Sequence, residues 1–552
     1  MKILIPVTKA LPMLRYTTFA LAMLLTLVSL ALVYLSPLFW IAFVFFGFFT
    51  LIGIRDVRQK RHAILRNYPI LGNLRWILES IRPEIRQYLM ESDSDKEPFS
   101  RDDRSIVYQR DKGGEDKRHL GTREDVYAAG YSWITHSVLA RDDLPWDCRV
   151  KIGNDSCKQP YQASIFNISA MSFGALSANA ISALNRGAKQ GGFAHDTGEG
   201  GISRYHREGG GDLIYEIGSG YYGCRNEDGT FSAEKFAEQA ADPQVKMIEV
   251  KLSQGAKPGH GGMLPASKIS EEIAEARGIP MDKDCLSPAT HSKFSTPSEF
   301  VHFLQELREL SNGKPVGFKL CVGHRREFMC MVKAMLETGI VPDFIVVDGK
   351  EGGTGAAPLE FANHIGMPLV EGLTFVVNTL VGAGLRDQIK IGAAGKLVTA
   401  FDLARVYALG ADWVNSARGF MFAIGCVQAQ ACHTNHCPVG ITTQDKLRQR
   451  ALDVQSKTVR VTNFHRNTLK AVAEMIGAAG LNGPEELQPK HLMIRQKNGQ
   501  TISGARVYLR MKPNALIDDD VEIMSESYRV PWNNARTDSF RPFEGMESLE
   551  YN

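Results

Sequence analysis

Between residues 150 and 485, short β-branched runs alternate with amphipathic stretches at helical spacing. That rhythm restricts the possible folds more than any other feature of the chain. The extended runs lie at 164–169, 192–195, 247–252, 285–287, 316–320, 344–347, 389–392 and 413–416, and helical segments such as 297–310, 329–339 and 400–408 fall between them. Neighbouring parallel strands need a crossover, so strand–helix alternation reads as a parallel sheet. About eight units predict an α/β chain built as a closed (β/α)8 TIM barrel rather than an open doubly wound sheet. Nothing repeats at a period of 20–50 residues, which excludes solenoids and propellers. Barrel chemistry sits where the strands end. Here the runs end in glycine-rich polar loops at 172–177, 198–201, 253–262, 349–355 and 393–396, enough to build one large ligand site.

Charge removes one class of partner. Lys+Arg 64 against Asp+Glu 61 leaves a net charge of +3, so no basic field is present to hold a nucleic-acid backbone.

Residues 16–54 form a run of 39 positions without Asp, Glu, Lys, Arg or His. One helical crossing of a bilayer takes roughly 20 apolar residues, so the run approaches two spans. Ser36-Pro37 divides it into 17–35 and 38–54, and proline ends helices. Lys2, Lys9 and Arg15 precede the run, and Arg55, Arg58, Lys60, Arg61 and Arg66 follow it. Cationic flanks stay in the cytoplasm, so residues 1–62 are expected to form a transmembrane helical hairpin with the catalytic domain facing the cytoplasm. A single long tilted span is the alternative. A secretory signal would need only roughly 7–15 apolar residues. Residues 63–140 read as a connecting region: Ile64, Leu65, Ile70, Leu71, Leu74, Ile77, Leu78 and Ile81 suggest helix near the membrane, followed by a charge-rich arm. The barrel spans 141–485, and 486–552 is a C-terminal extension.

Gly218-Ser-Gly-Tyr-Tyr-Gly223 matches the dinucleotide fingerprint in letters only. The fingerprint needs an apolar helix to open directly after it, and a polar turn, Cys224-Arg-Asn-Glu-Asp-Gly-Thr, follows instead.

Nine cysteines are an odd number for a disulfide framework, and a chain of 552 residues needs no such staples. Three of them, Cys426, Cys432 and Cys437, fall within twelve residues, and Pro438 follows the last. Thiolates ligate cluster irons, and a proline after the final cysteine recurs in such loops. Three local ligands suit a 3Fe-4S cluster. Zinc completed by His433 or His436, and unliganded thiols, remain the competing readings at this point.

The string Cys-His-x-Asn-x-Cys-Pro-Val-Gly-x-x-Thr-Gln over 432–444 resembles the cluster loop of glutamate synthases. So do Met-Ser-Phe-Gly-Ala-Leu-Ser at 171–177, Gly-Glu-Gly-Gly at 198–201 and Ser-Gly-x-x-Gly at 219–223. Lys-x-Ser-Gln-Gly-Ala-Lys-Pro-Gly at 251–259, Phe-Lys-Leu at 318–320 and Gly-Gly-Thr-Gly-Ala at 352–356 continue the series. Their order matches the FMN-binding synthase domain of that family over about 140–480.

The resemblance implies an FMN barrel with a 3Fe-4S cluster on Cys426, Cys432 and Cys437. It implies a flavin phosphate held by Gly392, Gly395, Lys396, Ala417, Arg418 and Gly419, of which Arg418 is not the usual family residue. Ser172 and Gly353 are expected beside the cofactor, and Lys319 near flavin N1, where its charge favours the reduced anion. The implied reaction is reductive amination of 2-oxoglutarate: ammonia adds to the oxo acid, and reduced FMN delivers hydride to the iminoglutarate. Lys257 and Arg277 match the family's substrate-binding cations, and Glu199 its acidic loop residue. Three places in the substrate region depart from the pattern: Met263 replaces a family Gln, His260 a family Glu, and Ala289-Thr-His-Ser-Lys293 the family's Pro-Pro-His-His-Asp loop, which bears on the substrate and not on the cofactors. The chain begins Met-Lys-Ile and ends about 70 residues after Leu481. The family's amidotransferase and β-helix domains are therefore expected to be missing, with ammonia free or supplied by another chain. Electrons are expected from ferredoxin or a reductase subunit. The competing functions are a related flavoenzyme acting on another amine and 2-oxo acid pair, and a membrane electron-transfer protein.

Overall fold

The structure, a computed structural model, describes residues 15–93, 98–117, 120–508, 511–518 and 526–543; Lys2 and Lys9 lie outside them. The chain divides into two compact units, Met1–Ser92 and Asp93–Asn552.

In the first unit, helices Thr17–Leu32 and Phe39–Arg58 pack antiparallel around the turn at residues 33–38. Thr26 and Thr50 share a hydroxyl hydrogen bond of 2.9 Å across the pair. A Cβ at Gly53 would fall 2.1 Å from the Phe19 ring, so only glycine permits this approach. The hairpin forms, but its arms differ. Among the described residues only Phe39–Arg58, with 20 residues, is long and apolar enough to cross a membrane. Thr17–Leu32 has 16 residues, and at 1.5 Å per residue that falls short of the ~30 Å hydrocarbon core. The turn takes its residues from the apolar run, and the first arm is left short. Asp56, fully buried, accepts from Arg55 (2.8 Å), Asn73 (2.5 Å) and the Ile70 amide (3.1 Å), tying helix Leu71–Ile85 to the end of Phe39–Arg58. Residues 63–92 therefore belong with the apolar helices, and the connecting region expected at 63–140 is split at Ser92.

The second unit contains a closed barrel of eight parallel strands. In chain order they are β1 (Phe166–Ile168), β2 (His195–Asp196), β3 (Leu213–Ile217), β4 (Val245–Lys251), β5 (Val316–Leu320), β6 (Phe344–Asp348), β7 (Lys390–Ala394) and β8 (Trp413–Ser416), and β8 closes on β1. Seven of the expected runs coincide with barrel strands. The eighth, 285–287, does not: Cys285–Leu286 pairs antiparallel with Met263–Leu264 in an excursion after β4. The missing strand is β3, whose Leu-Ile-Tyr-Glu-Ile places a carboxylate inside an apolar run. That carboxylate, Glu216, has its charge partner inside the barrel.

Inward positions are graded along the axis. Ile214, Met247, Phe344 and Trp413, at or near the strand starts, form an apolar layer with Ile152 and Ala163. These last two come from the hairpin Arg149–Ile152/Tyr161–Ser164, which seals that end. Asp196, Glu216, Glu249, Lys251, Lys319 and Asp348 occupy the later strand positions. The end where the strands finish is the polar one. Two glycines make the apolar layer possible: a Cβ at Gly317 would meet the Phe344 ring at 2.6 Å, and one at Gly392 would meet the Trp413 ring at 2.6 Å. The Trp413 indole N–H donates to Asn415 (3.0 Å) and is not free to retreat. Gly392→Ala should therefore lower the thermal midpoint, at a cost of about 1–3 kcal/mol for overpacking. Calorimetry of the purified protein checks this.

Sequence on both sides of the barrel completes the unit. Ser132–Ile134 joins Leu492–Arg495 and Thr501–Ser503 in a three-stranded antiparallel sheet. Helix Arg101–Asp111 lies against Val454–Ala478 and Arg418–Ala423, with Phe99 edge-on to Phe422 at 5.2 Å. Lys333 donates to the Ala535 carbonyl at 3.1 Å, holding part of the C-terminal extension.

Candidate functional site

Three loops at the polar mouth converge on Glu199. Its carboxylate lies 3.1 Å from Lys251, the last residue of β4. Burial acts to raise its pKa, but Lys251, Arg277 and Lys257 outweigh it and hold the group below its ordinary value. Lys257 is buried and donates to the Gly261 carbonyl at 2.8 Å. Burial depresses its pKa, and Glu199 acts in the opposite sense. Arg277 ends the short helix Glu271–Arg277, which Ser270 caps and Gly278 (φ 65°) terminates. Its guanidinium donates to the Phe173 carbonyl (3.2 Å) and lies 5.2 Å from the centre of the Tyr222 ring. Its Nε has no hydrogen-bond partner among the described residues.

The glycines of the sequence motifs clear space for these charges. A Cβ at Gly200 would lie 3.1 Å from the Arg277 guanidinium, and one at Gly262 would lie 2.4 Å from the Glu199 carboxylate. The Gly-Ser-Gly-Tyr-Tyr-Gly segment is a turn that places Tyr222 under Arg277; the next helix opens only at Ala233. Of the expected substrate residues, Lys257 and Arg277 both act electrostatically on Glu199, and Lys251 adds a direct ion pair at 3.1 Å. The excess of positive charge suits a dianion.

Sequence reasoning passed over Lys251, Tyr222 and His291. His291 bridges the Lys251 carbonyl (2.9 Å) and the Tyr221 hydroxyl (3.2 Å), and burial pushes its pKa down to about 4. Lys251 was legible as the lysine that opens the Lys-x-Ser-Gln-Gly-Ala-Lys-Pro-Gly string at 251–259. Tyr222 lay inside the Gly-Ser-Gly-Tyr-Tyr-Gly string and His291 inside Ala289-Thr-His-Ser-Lys293, but nothing in either string marked the side chain as part of the site. Met263 is 44% exposed on its short strand, and His260 is exposed with its ring edge-on to Phe361.

Lys319 lies deeper, inside the barrel. It pairs with Glu216, with Glu249 at 3.0 Å and with Asp196 at 3.8 Å, all four side chains being essentially inaccessible. One ammonium cannot neutralise three carboxylates in a site closed to bulk solvent. Burial and the neighbouring Glu216 push Glu249 up to about 7, against the pull of Lys319, and Asp196 is likewise raised well above its ordinary value by burial. The raised Glu249 stabilises the fold below its unfolded value near 4.5, and that contribution is lost as pH rises toward 7. Glu249→Gln should flatten this fall in stability between pH 4.5 and 7. Denaturant midpoints at a series of pH values measure it.

Of the residues expected around a phosphate, Gly395 (φ 144°) and Lys396 (φ 52°) form the turn after β7, and Ala417 precedes the helix Arg418–Ala423 after β8. Lys396 lies 5.7 Å from the centre of the Phe99 ring. Gly392 sits within β7 against Trp413, and Gly419 lies inside the short helix, where a Cβ would meet Ser416 at 2.7 Å. Gly353 borders the Arg418 guanidinium, 3.5 Å from the position of a Cβ. Ser172 lies between the first two loops, and a Cβ at Gly198 would come within 2.7 Å of its amide.

The cysteine loop follows directly. Cys426 and Cys437 are buried and Cys432 is partly exposed, and none of the three is in a disulfide. Gln428 (φ 56°), Gln430 (φ 54°) and Asn435 (φ 66°) bend the chain around them. The Gln428 amide donates to the Cys426 sulfur at 3.5 Å. Burial would raise the Cys437 thiol, but hydrogen bonds from Thr442 and from the amides of Val439 and Ile441 bring it below its ordinary value. Such donors suit thiolate ligands of an iron–sulfur centre. A zinc tetrahedron would need sulfurs about 4 Å apart, given Zn–S bonds of ~2.3 Å. Among the described residues, the group whose ligand atoms approach within 4.8 Å of one another is Asp196, Glu216 and Glu249, not the cysteines. The end of the loop is tied to the barrel mouth: Gln444 donates to the Gly174 and Leu176 carbonyls at 3.0 Å each, and Ser177 to the Gly440 carbonyl at 2.7 Å.

Residues 121–482 match the family described as the conserved region in glutamate synthase. A glutamate synthase large subunit-like protein of Bacillus subtilis is 38% identical over 82% of this chain and 94% of its own length. A like-named protein of Rhizobium meliloti is 31% identical over 69% and 86%. The archaeal glutamate synthase [NADPH] of Methanocaldococcus jannaschii is 34% identical over 59% of this chain, which spans only 61% of that protein. With a closed parallel barrel, a cation-rich mouth and a three-cysteine loop in one unit, the chain belongs to the glutamate synthase family.

Proposed function

We propose that the protein is an FMN- and iron–sulfur-dependent oxidoreductase acting on a CH–NH2 donor, and that it carries out the reductive amination of 2-oxoglutarate to glutamate. The observation that carries this reading is the mouth in which Lys251, Lys257 and Arg277 surround Glu199. Paired carboxylates buried without cations would be prohibitively costly, and this arrangement supplies cations in excess. Lys257 and Arg277 hold the two ends of the oxo acid. Glu199, held ionised by its neighbours, orients the lysines toward the carbon that receives nitrogen. FMN supplies two-electron hydride chemistry when bound. The backbone amides of the turns at Gly395–Lys396 and Ala417–Arg418 would hold its phosphate, with Ser172 and Gly353 along its edges, while the Arg418 guanidinium is directed at Cys432 and Met421 instead of the phosphate expected for it. Lys319 contributes a buried ammonium whose charge its own carboxylates largely cancel. Cys426, Cys432 and Cys437 would hold a 3Fe-4S centre fed by ferredoxin or a reductase subunit.

The test is glutamate formation from 2-oxoglutarate and ammonium by anaerobic, cofactor-loaded protein with a chemical reductant. Absence of glutamate, together with turnover of another amine pair, would favour the related-flavoenzyme reading. Met263 gives that reading its footing: a thioether stands where the family has a hydrogen-bonding amide, at a cost of ~1–3 kcal/mol for an unpaired polar group. If the pocket is tuned to a less polar skeleton, Met263→Gln improves turnover of 2-oxoglutarate.

The first unit is proposed to be a membrane anchor with the barrel in the cytoplasm. Phe39–Arg58 is apolar enough to span, and Leu71, Leu74, Ile77, Leu78 and Ile81 leave an exposed stripe on helix Leu71–Ile85. A stripe flanked by Arg75 and Arg82 suits the interface of an anionic bilayer. Removal of residues 1–92 should give a soluble barrel, whereas removal of 1–62 should leave protein that still sediments with membranes. Fractionation of the two truncations distinguishes them. Equal solubility would remove the interfacial role of residues 63–92.

A further inference from the structure

Lys268 forms the end of a single 3-10 turn, Ala266–Lys268, between the strand that carries Met263 and the helix that carries Arg277. Its side chain is 4% exposed. The ammonium donates to the Cys432 carbonyl at 2.8 Å and to the Thr442 carbonyl at 3.3 Å. The titratable groups that act on it are thiols, Cys432 and Cys437. A buried ammonium without a carboxylate is costly. Its countercharge is therefore to be sought in the cysteine loop.

A second cation reaches the same residue. The Arg418 guanidinium lies 3.8 Å from the Cys432 sulfur and 3.7 Å from the Met421 sulfur. Cys432 thus has an ammonium on its carbonyl and a guanidinium at its sulfur. A loop of free thiols has no use for two converging cations. A centre carrying three thiolates and bridging sulfides is anionic in both oxidation states, and gains one further negative charge on reduction. Nearby cations favour the more negative form, and charge near the sulfurs is a protein lever on cluster potential.

We propose that Lys268 and Arg418 are positioning cations that raise the reduction potential of the iron–sulfur centre at Cys432. The inference rests on the cluster reading above and assigns Lys268 a role beyond it. Lys268 shares its excursion with the substrate-holding Arg277, so one segment supplies charge to the centre and to the carbon substrate.

The experiment is a redox titration of the anaerobic full-length protein, following the EPR signal of the oxidised centre. The variants are Lys268→Gln, Lys268→Arg, Arg418→Met and Arg418→Lys. Lys268→Gln keeps an N–H donor for the two carbonyls and removes the charge, which separates electrostatics from loop anchoring. Lys268→Gln and Arg418→Met should each lower the reduced-to-oxidised ratio at fixed potential at least tenfold, about 59 mV for a one-electron couple. Lys268→Arg and Arg418→Lys should stay within about twofold of the parent. Full signals with unshifted ratios in both charge-removing variants would overturn the inference alone. A parent protein without iron would overturn the cluster reading, and this inference with it.

Discussion

Cys432→Ser is expected to abolish the iron–sulfur signal and electron delivery from an external donor, while FMN content stays near that of the parent. The physical ground is that different backbone segments carry the two sites, which meet where the Arg418 guanidinium lies 3.8 Å from the Cys432 sulfur. The turns at Gly395–Lys396 and Ala417–Arg418 hang from β7 and β8, whereas Cys432 sits in a loop tied down independently through Gln444 and Ser177. A serine oxygen is a poor ligand for cluster iron, and two thiolates do not hold a three-iron centre. Iron and flavin assays with EPR on the same preparation decide it. Loss of flavin together with iron would show that the cysteine loop is structural for the whole mouth. Stoichiometric zinc in the parent, with no iron, would refute the cluster.

Arg277→Met should raise the KM for the oxo acid with little change in kcat, and leave dithionite reduction of the flavin intact. Removing one cation from a buried carboxylate typically costs about 2–4 kcal/mol, or roughly 30- to 700-fold in kcat/KM. The effect falls on KM because the carboxylate is bound alike in ground and transition states. Methionine keeps the packing over Tyr222 that alanine would lose. A fall in kcat at unchanged KM would place Arg277 at the reacting carbon instead.

Much of this protein was legible in local pattern. The β-branched runs marked seven of eight barrel strands because parallel strands buried on both faces are mostly apolar, even where β4, β5 and β6 carry a charge at a later position. β3 was not expected, and its Glu216 is met inside the barrel by Lys319, 103 residues away. The excursion strand Cys285–Leu286 was taken for a barrel strand because a two-residue run cannot say which neighbour it pairs with. The apolar N-terminal run announced a hairpin. Which arm is long enough to span depended on how many residues the turn consumed.

The sequence by itself determined the barrel, the cysteine loop and the identity of the charged residues, since each is written in periodicity or in a short string. Tertiary structure alone decided what those residues face. Lys319 stands among carboxylates from three other strands, Lys251 joins Lys257 and Arg277 around Glu199, and Lys268 reaches Cys432 across 164 positions. Charges interact through space and burial rather than along the chain. Their partners became knowable only when strand order closed the barrel and loops from distant segments met at one mouth.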